Sequence, residues 1–544
     1  MHDAWLVADI FFEILNHITY YRSTLASLAL TCRAFREPAL DILWKALFTT
    51  KPILHLLRET LTRECGNSDE PSKADIMRVQ SAMLKYTSRV HSIHFVPLND
   101  FQPPYLSNIA TLFPMLRELE WTMDGLSAAS QFPSQVISTL RRLSLRVSSD
   151  MTSETTFISS LPDLCPNITV LAMSCHWGPV WDASTDVYTT ALKHAFTSAI
   201  ERWQSLREVR LDLRNLEPRT LQHLAALPSL RVLDLHVPPR SSLNEAFPDL
   251  RPRPKPLGLE TFHPPLFQGL QRFTMHAGIR TYEGDVDISV HAFLQHLRKL
   301  KFSPRCVTLV VTYEEADLPA ILEATAGSTN PSELQEFCLH PWVMGDAGPQ
   351  ARFDKIRGML GWYNLTKVKL GISIAMNDSE LGEIAMAWPL LEELHFAVKH
   401  AESPLLPTWI GFIDLIRHCR RLESVGLHVD TTLGAEGILE EIDSQGRCKD
   451  KELMNSHLNS INFLGSKIQD PDMVARILRA LFPALSWRGF FVFSRSPLHF
   501  KHIKHLLSLH PQSMELTMED GNSGERLPSQ NVTSTSTRDM TDAL

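Results

Sequence analysis

A single short phrase constrains this chain more than anything else in it. The pattern apolar-x-x-apolar-x-apolar recurs thirteen times. It appears at Val90/Ile93/Phe95, Leu116/Leu119/Trp121, Leu140/Leu143/Leu145, Ile168/Leu171/Met173, Leu206/Val209/Leu211, Leu230/Leu233/Leu235 and Leu270/Phe273/Met275. It continues at Leu297/Leu300/Phe302, Leu334/Phe337/Leu339, Leu365/Val368/Leu370, Leu391/Leu394/Phe396, Leu422/Val425/Leu427 and Leu458/Ile461/Phe463. Consecutive phrases lie about 24 to 40 residues apart. The end of each phrase alternates with period two, which predicts a short strand with one buried face. Between phrases the spacing predicts helices over Ala191–Trp203, Ser289–His296, Leu318–Thr325, Phe353–Leu360, Leu381–Trp388, Trp409–Cys419 and Met473–Leu481. A strand and a helix repeated this way stack as a solenoid, with parallel strands inside and helices outside. An ordinary doubly wound sheet does not demand the same phrase a dozen times.

Three stretches interrupt the array. Ser148–Asp163 is rich in Ser and Thr, residues 237–265 read as a Pro-rich loop insertion, and Ala435–Asn455 is a charged, partly helical insertion. The spacing divides the chain into a helical head (1–50), a helical linker with a polar loop (51–88), an irregular repeat domain (89–515) and a disordered tail (516–544). In the linker, Leu47–Leu61 and Ile76–Tyr86 read as helices around the turn-rich Arg63–Asp75.

Net charge is −8, which takes away most of the electrostatic motive for binding nucleic acid. The eight cysteines are scattered without a C-x-x-C pair, as expected of free thiols in a reducing compartment. No run of eighteen apolar residues occurs, so no membrane span is expected. The expected localisation is cytoplasmic and/or nuclear. Phosphate-cradling, nucleophile-elbow and zinc-protease motifs are missing from the sequence, so the expectation is a protein that is not an enzyme and has no cofactor. The His-rich run His499, His502, His505 and His510 is interleaved with Lys501 and Lys504, which repel a divalent ion. It reads as a solvated helix face, and no metal is expected. Arg251–Pro256 reads as a charged loop.

The head carries the most specific signal. Ile10, Ile14 and Ile18 fall at i, i+4 and i+8, one stripe of an amphipathic helix. Leu25, Leu28, Ala29 and Cys32 mark a second short helix, and Phe35, Ala39, Leu40, Leu43 and Trp44 a third. Three short helices cannot bury this much apolar surface among themselves. In order and spacing, Leu6, Asp9, Glu13-Ile14-Leu15, Leu25, Leu28, Thr31-Cys32-Arg33-Ala34-Phe35 and Leu43-Trp44 resemble an F-box; Val7 stands where that family usually has Pro. The repeat phrases resemble leucine-rich repeats of an irregular kind, looser than the regular period of about 20 to 29 residues. The fold class expected is α/β: an all-α F-box of three short helices, then an irregular leucine-rich-repeat solenoid.

The resemblance implies the substrate-recognition subunit of an SCF-type cullin–RING ubiquitin ligase. The head would bind the adaptor subunit, and through it the cullin, by Leu6, Ile10, Ile14, Leu15, Leu25, Leu28, Cys32, Phe35, Leu40 and Trp44. Some of these must instead form the head's own core. A ligase-independent repeat scaffold and an enzyme concealed in the C-terminal half are the alternatives. The residue between the last two apolar positions of each phrase points away from the core, as does the one two before it. This places Glu118, Glu120, Arg210, Asp234, Lys301, Lys369 and His395 on a concave face, as candidates for contact with an unknown protein substrate. The mixed charge of that ladder, acidic near Glu118 and Glu120 and basic near Lys299, Lys301, Lys367 and Lys369, suits a protein partner.

Overall fold

A computed structural model describes residues 8–49, 51–65, 72–95, 112–123, 137–148, 155–176, 186–212, 217–237, 267–277, 279–281, 284–286, 302–341, 350–397, 405–440, 454–463 and 468–482, with residues 290, 294, 297–298, 442, 448, 466, 485, 490–491 and 503. The N-terminal end is three helices, α1 (Ala8–His17), α2 (Arg22–Thr31) and α3 (Arg33–Lys45). Strand β1 (Ala46–Leu47) and helices α4 (Lys51–Cys65) and α5 (Lys73–Thr87) follow. Ser72 caps α5 in a capping box with Asp75, satisfying two otherwise orphaned amides.

The strands and helices then alternate. They are β2 (Ser92–Phe95), β3 (Glu118–Met123), β4 (Arg142–Ser148), α6 (Thr155–Leu164), β5 (Val170–His176), α7 (Asp186–Arg202), β6 (Glu208–Asp212), α8 (Pro218–Ala226), β7 (Val232–Val237) and β8 (Arg272–Ala277). A small hairpin, β9 (Ile279–Thr281) with β10 (Gly284–Val286), precedes β11 (Cys306–Val310), α9 (Leu318–Ser328) and β12 (Glu336–His340). Short β13 (Gln350–Arg352) pairs with β15 (Ser373–Ala375) around β14 (Lys367–Leu370). The array closes with α10 (Asp378–Ala387), β16 (Glu393–Phe396), α11 (Trp409–His418), β17 (Ser424–Gly426), α12 (Ala435–Glu440), β18 (Ser460–Asn462), α13 (Pro471–Leu481) and β19 (Phe490–Phe491).

Fifteen of the described strands form one sheet in the order β1 to β8, β11, β12, β14, β16, β17, β18, β19, and every pairing in it is parallel. The fold is a mixed α/β solenoid of leucine-rich-repeat type behind a three-helix head. Its register is locked at each step by one carbonyl. His91 O accepts from both Arg117 N and Glu118 N, Arg117 O from Arg141 N and Arg142 N, and so on through Glu423 O, which accepts from Asn459 N and Ser460 N. The alternating apolar residues fill one continuous core that runs from Leu47 to Ile503. Leu143, Leu171, Val209, Phe337 and Leu394 are wholly buried, each stabilising by about 1.5–3 kcal/mol relative to exposure. No described helix is long and apolar enough to cross a membrane. The six cysteines described in full are free.

Three sequence expectations are corrected here. The eighth phrase is not the strand. Leu297 lies in helical backbone and Phe302 packs on Phe273 at 4.5 Å, while the sheet continues through Cys306–Val310. Pro304, Val307 and Leu309 supply the same spacing, and the β-branched Val307, Thr308 and Val310 favour the extended backbone. The Ser/Thr-rich Ser148–Asp163, read as an interruption of the array, overlaps helix α6, because Ile158 and Leu161 gain a buried face that outweighs weak local propensity. Phe353–Leu360 forms two 3-10 turns, not an α-helix: Gly358 and Gly361 disfavour regular helix in so short a connection. The Pro-rich loop, apart from Val237 at the end of β7, and the tail lie outside the described residues.

Candidate functional site

Two surfaces follow from this fold: the inner face of the sheet and the open side of the head. Strand register fixes the first. One row runs Glu118, Arg142, Val170, Glu208, Val232, Arg272, Cys306, Glu336, Lys367, Glu393, Ser424 and Ser460. The next runs His94, Glu120, Ser144, Ala172, Arg210, Asp234, Thr274, Thr308, Cys338, Lys369, His395, Gly426 and Asn462. Strands about 4.8 Å apart bring these side chains within reach of one another. Six of the seven concave-face candidates thus share one surface. Lys301 lies outside the described residues, and Thr308 holds the ladder position assigned to it.

The charges on this face are not free patches. Arg142 reaches Glu118 at 3.6 Å and Glu208 at 4.0 Å, and Arg210 reaches Glu208 at 2.8 Å. Glu120 meets His94 on one side and Arg146, at 2.6 Å, on the other. Lys367 and Lys369 both converge on Glu393, at 2.9 and 2.6 Å. Burial alone would raise the pKa of Glu393, but the two ammonium groups outweigh it and hold the carboxyl down to about 2. The basic stretch read from Lys367 and Lys369 is therefore partly neutralised across the strands, one carboxylate to two ammonium groups, a pairing that depends on register and not on neighbours in sequence.

His395 lies over Gly426, where an added Cβ would stand 2.6 Å from its Nδ1. Its Nε2 is 2.9 Å from Ser424 Oγ. Burial and then Lys369 lower its pKa. That distance suits a nucleophile and base, but the described residues place no carboxylate on Nδ1, and Leu427 N, the next amide along, is occupied by Asn462 O. Burial, Lys369 and His276 likewise lower the pKa of His340.

Asp234 and His236 share a face of β7, and register puts His276 of β8 beside His236. Donor atoms of the three lie within 4.8 Å of one another. His236 and His276 do not stand out as a motif. The legible signal was Asp234-x-His236 at the end of one phrase and His276 at the same phase of the next.

The head has its own small core of Phe11, Leu15 and Leu25, with Ile18, Leu28, Phe35, Ile42 and Leu43 half-covered against it. Phe11 stacks on Phe35 at 4.6 Å. Of the adaptor-binding candidates, Leu15 and Leu25 are buried inside the head. Trp44 packs on Tyr86 at 5.2 Å and against the solenoid core, so it belongs to the junction. Ile14, Leu28, Cys32, Phe35 and Leu40 stay half-exposed. Leu6, and the side chain of Ile10, lie outside the described residues. Leu30, Tyr20 and Tyr21 were missed by the stripe reading; they are 88%, 92% and 64% exposed. The head is fastened down by β1 pairing with β2 and by Arg89 of the solenoid side, which pairs with Glu37 and Asp41 of α3.

No family model matches this chain, and no curated protein matches it. Among solved structures it is similar to a chain in the crystal structure of the Rad7 and Elc1 complex in yeast, with 12% identity and a TM-score of 0.29 over 80% of this chain and 87% of that one. A likeness that faint carries no inference about function.

Proposed function

We propose that this protein is a non-catalytic substrate receptor of an SCF-type cullin–RING ubiquitin ligase, acting in the cytoplasm and/or nucleus. The head would bind the adaptor subunit and, through it, the cullin. The inner face of the solenoid would hold a protein client, so that the client's lysines meet the ubiquitin carrier at raised effective concentration. One observation carries this reading. The run Thr31–Phe35 sits in a head whose core, among the described residues, clusters on Phe11, Leu15 and Leu25, with Leu28 and Phe35 half-covered and Leu30 exposed. An apolar surface of this kind calls for a protein partner. The fastening of head to solenoid supports action by proximity, since a fixed distance keeps effective concentration high.

The test is affinity purification of the full chain beside Leu30→Asp and Phe35→Ala. Removing residues 1–75 would be a poor substitute, because Leu47, Ile53 and Leu57 belong to the solenoid core. Loss of adaptor and cullin from the variants, with other partners retained, is the expected result. If adaptor and cullin are missing even from the unaltered chain, the ligase-independent scaffold takes its place.

A further inference from the structure

We propose that Asp234, His236 and His276 form a zinc-binding site on the inner face of the solenoid. The inference is independent of the ligase reading. Asp234 and His236 are two residues apart on β7, so their side chains leave the same face. The pairing His236↔His276 then adds a second imidazole beside the first. The two rings are stacked, with centroids 4.2 Å apart and planes 4° from parallel. Asp234 Oδ1 lies 3.2 Å from His276 Nε2 and 3.9 Å from His236 Nε2.

A second observation points the same way. Asp234 Oδ1 is buried and accepts no hydrogen bond from any described residue, although His276 Nε2 is close enough to give one. A carboxylate oxygen removed from water with one imidazole nitrogen at 3.2 Å and no well-aligned donor is incompletely satisfied, and a cation between it and the imidazoles would relieve that cost. Two imidazole nitrogens and one carboxylate oxygen are the donors zinc takes, at about 2.0–2.2 Å. Magnesium and calcium would ask for an all-oxygen set. Closing the present spacing onto an ion requires the two stacked rings to rotate toward a common point, for which His236, 44% exposed, has more room than His276 at 21% or Asp234 at 17%.

Three protein ligands leave a fourth tetrahedral position open. The three residues lie on the same face of the sheet as Arg210 and Thr274, the surface proposed above for a client. Water would fill the open position in the free protein, and a His, Cys or carboxylate of a bound protein could replace that water. The ion would also tie β7 to β8 next to Val237, the last described residue before the Pro-rich stretch of the sequence.

The test is a Zn2+ titration of the full chain against a chromophoric competitor, with His236→Asn, His276→Asn and Asp234→Asn alongside. The unaltered chain is expected to bind one more zinc than each variant, or to bind that zinc with affinity higher by more than the roughly 10–100-fold that a lost outer-shell partner costs. Zinc-edge X-ray absorption of the unaltered chain loaded with one equivalent reads the ligands directly, whatever the variants do. Two imidazoles with only N/O scattering support the site. Sulfur-dominated scattering, which would place the ion on cysteines, overturns it. So does an unaltered chain that binds zinc no better than the variants.

Discussion

Replacing Glu393 by Gln tests whether the inner face is an ion-paired ladder. The carboxylate takes Lys367 Nζ at 2.9 Å and Lys369 Nζ at 2.6 Å, and its pKa falls from 4.5 to about 2. At about 1.36 kcal/mol for each pH unit, that drop sets a ceiling near ~3.4 kcal/mol. The lysine side chains are 33% and 39% exposed, so solvent screening brings the expected contribution down to about 1–2 kcal/mol. Because the folded-state pKa is depressed, the contribution is complete above pH 4.5 and is lost as pH falls through about 2. A solenoid can open locally, so the measure should be amide exchange across β14 and β16 as well as the denaturant midpoint. At pH 7 Glu393→Gln should destabilise these strands by about 1–2 kcal/mol. Toward pH 2 the two proteins should converge. A difference that is absent at pH 7, or that persists undiminished at pH 2, would refute the pairing as the cause.

Two further outcomes follow from the packing. Asp378 accepts from Thr408 N at 2.6 Å, Thr408 Oγ1 at 2.8 Å and Gly411 N at 3.1 Å, joining the start of α10 to the start of α11. Asp378→Ala should cost about 2–4 kcal/mol, read as faster amide exchange at Thr408 and Gly411. Burial pushes the thiols of Cys165 and Cys419 up to about 12. Both should resist alkylation at pH 8 in the folded protein and react once it is denatured, as mass spectrometry of labelled peptides would show.

The sequence by itself determined the strand positions of twelve of the thirteen phrases, the buried row of leucines and the residues that line the inner face. Period-two alternation is a local property: once Leu119 and Trp121 go inward, Glu120 must go outward, whatever lies next to it. The tertiary structure alone decided what those outward residues meet. Lys367 and Lys369 find Glu393 a strand away, and Asp234 and His236 find His276 across a gap of forty residues, because parallel pairing sets residues side by side that no window along the chain relates. The same holds at the head. A helical stripe marks Leu15, Leu25, Phe35 and Trp44 as apolar, but which of them turns inward depends on how the helices cross and on where the solenoid begins. The one misplaced strand has the same origin, since at β11 the carbonyl of Gln271 locks onto Arg305 and Cys306, and a proline stands where every other phrase has an aliphatic residue.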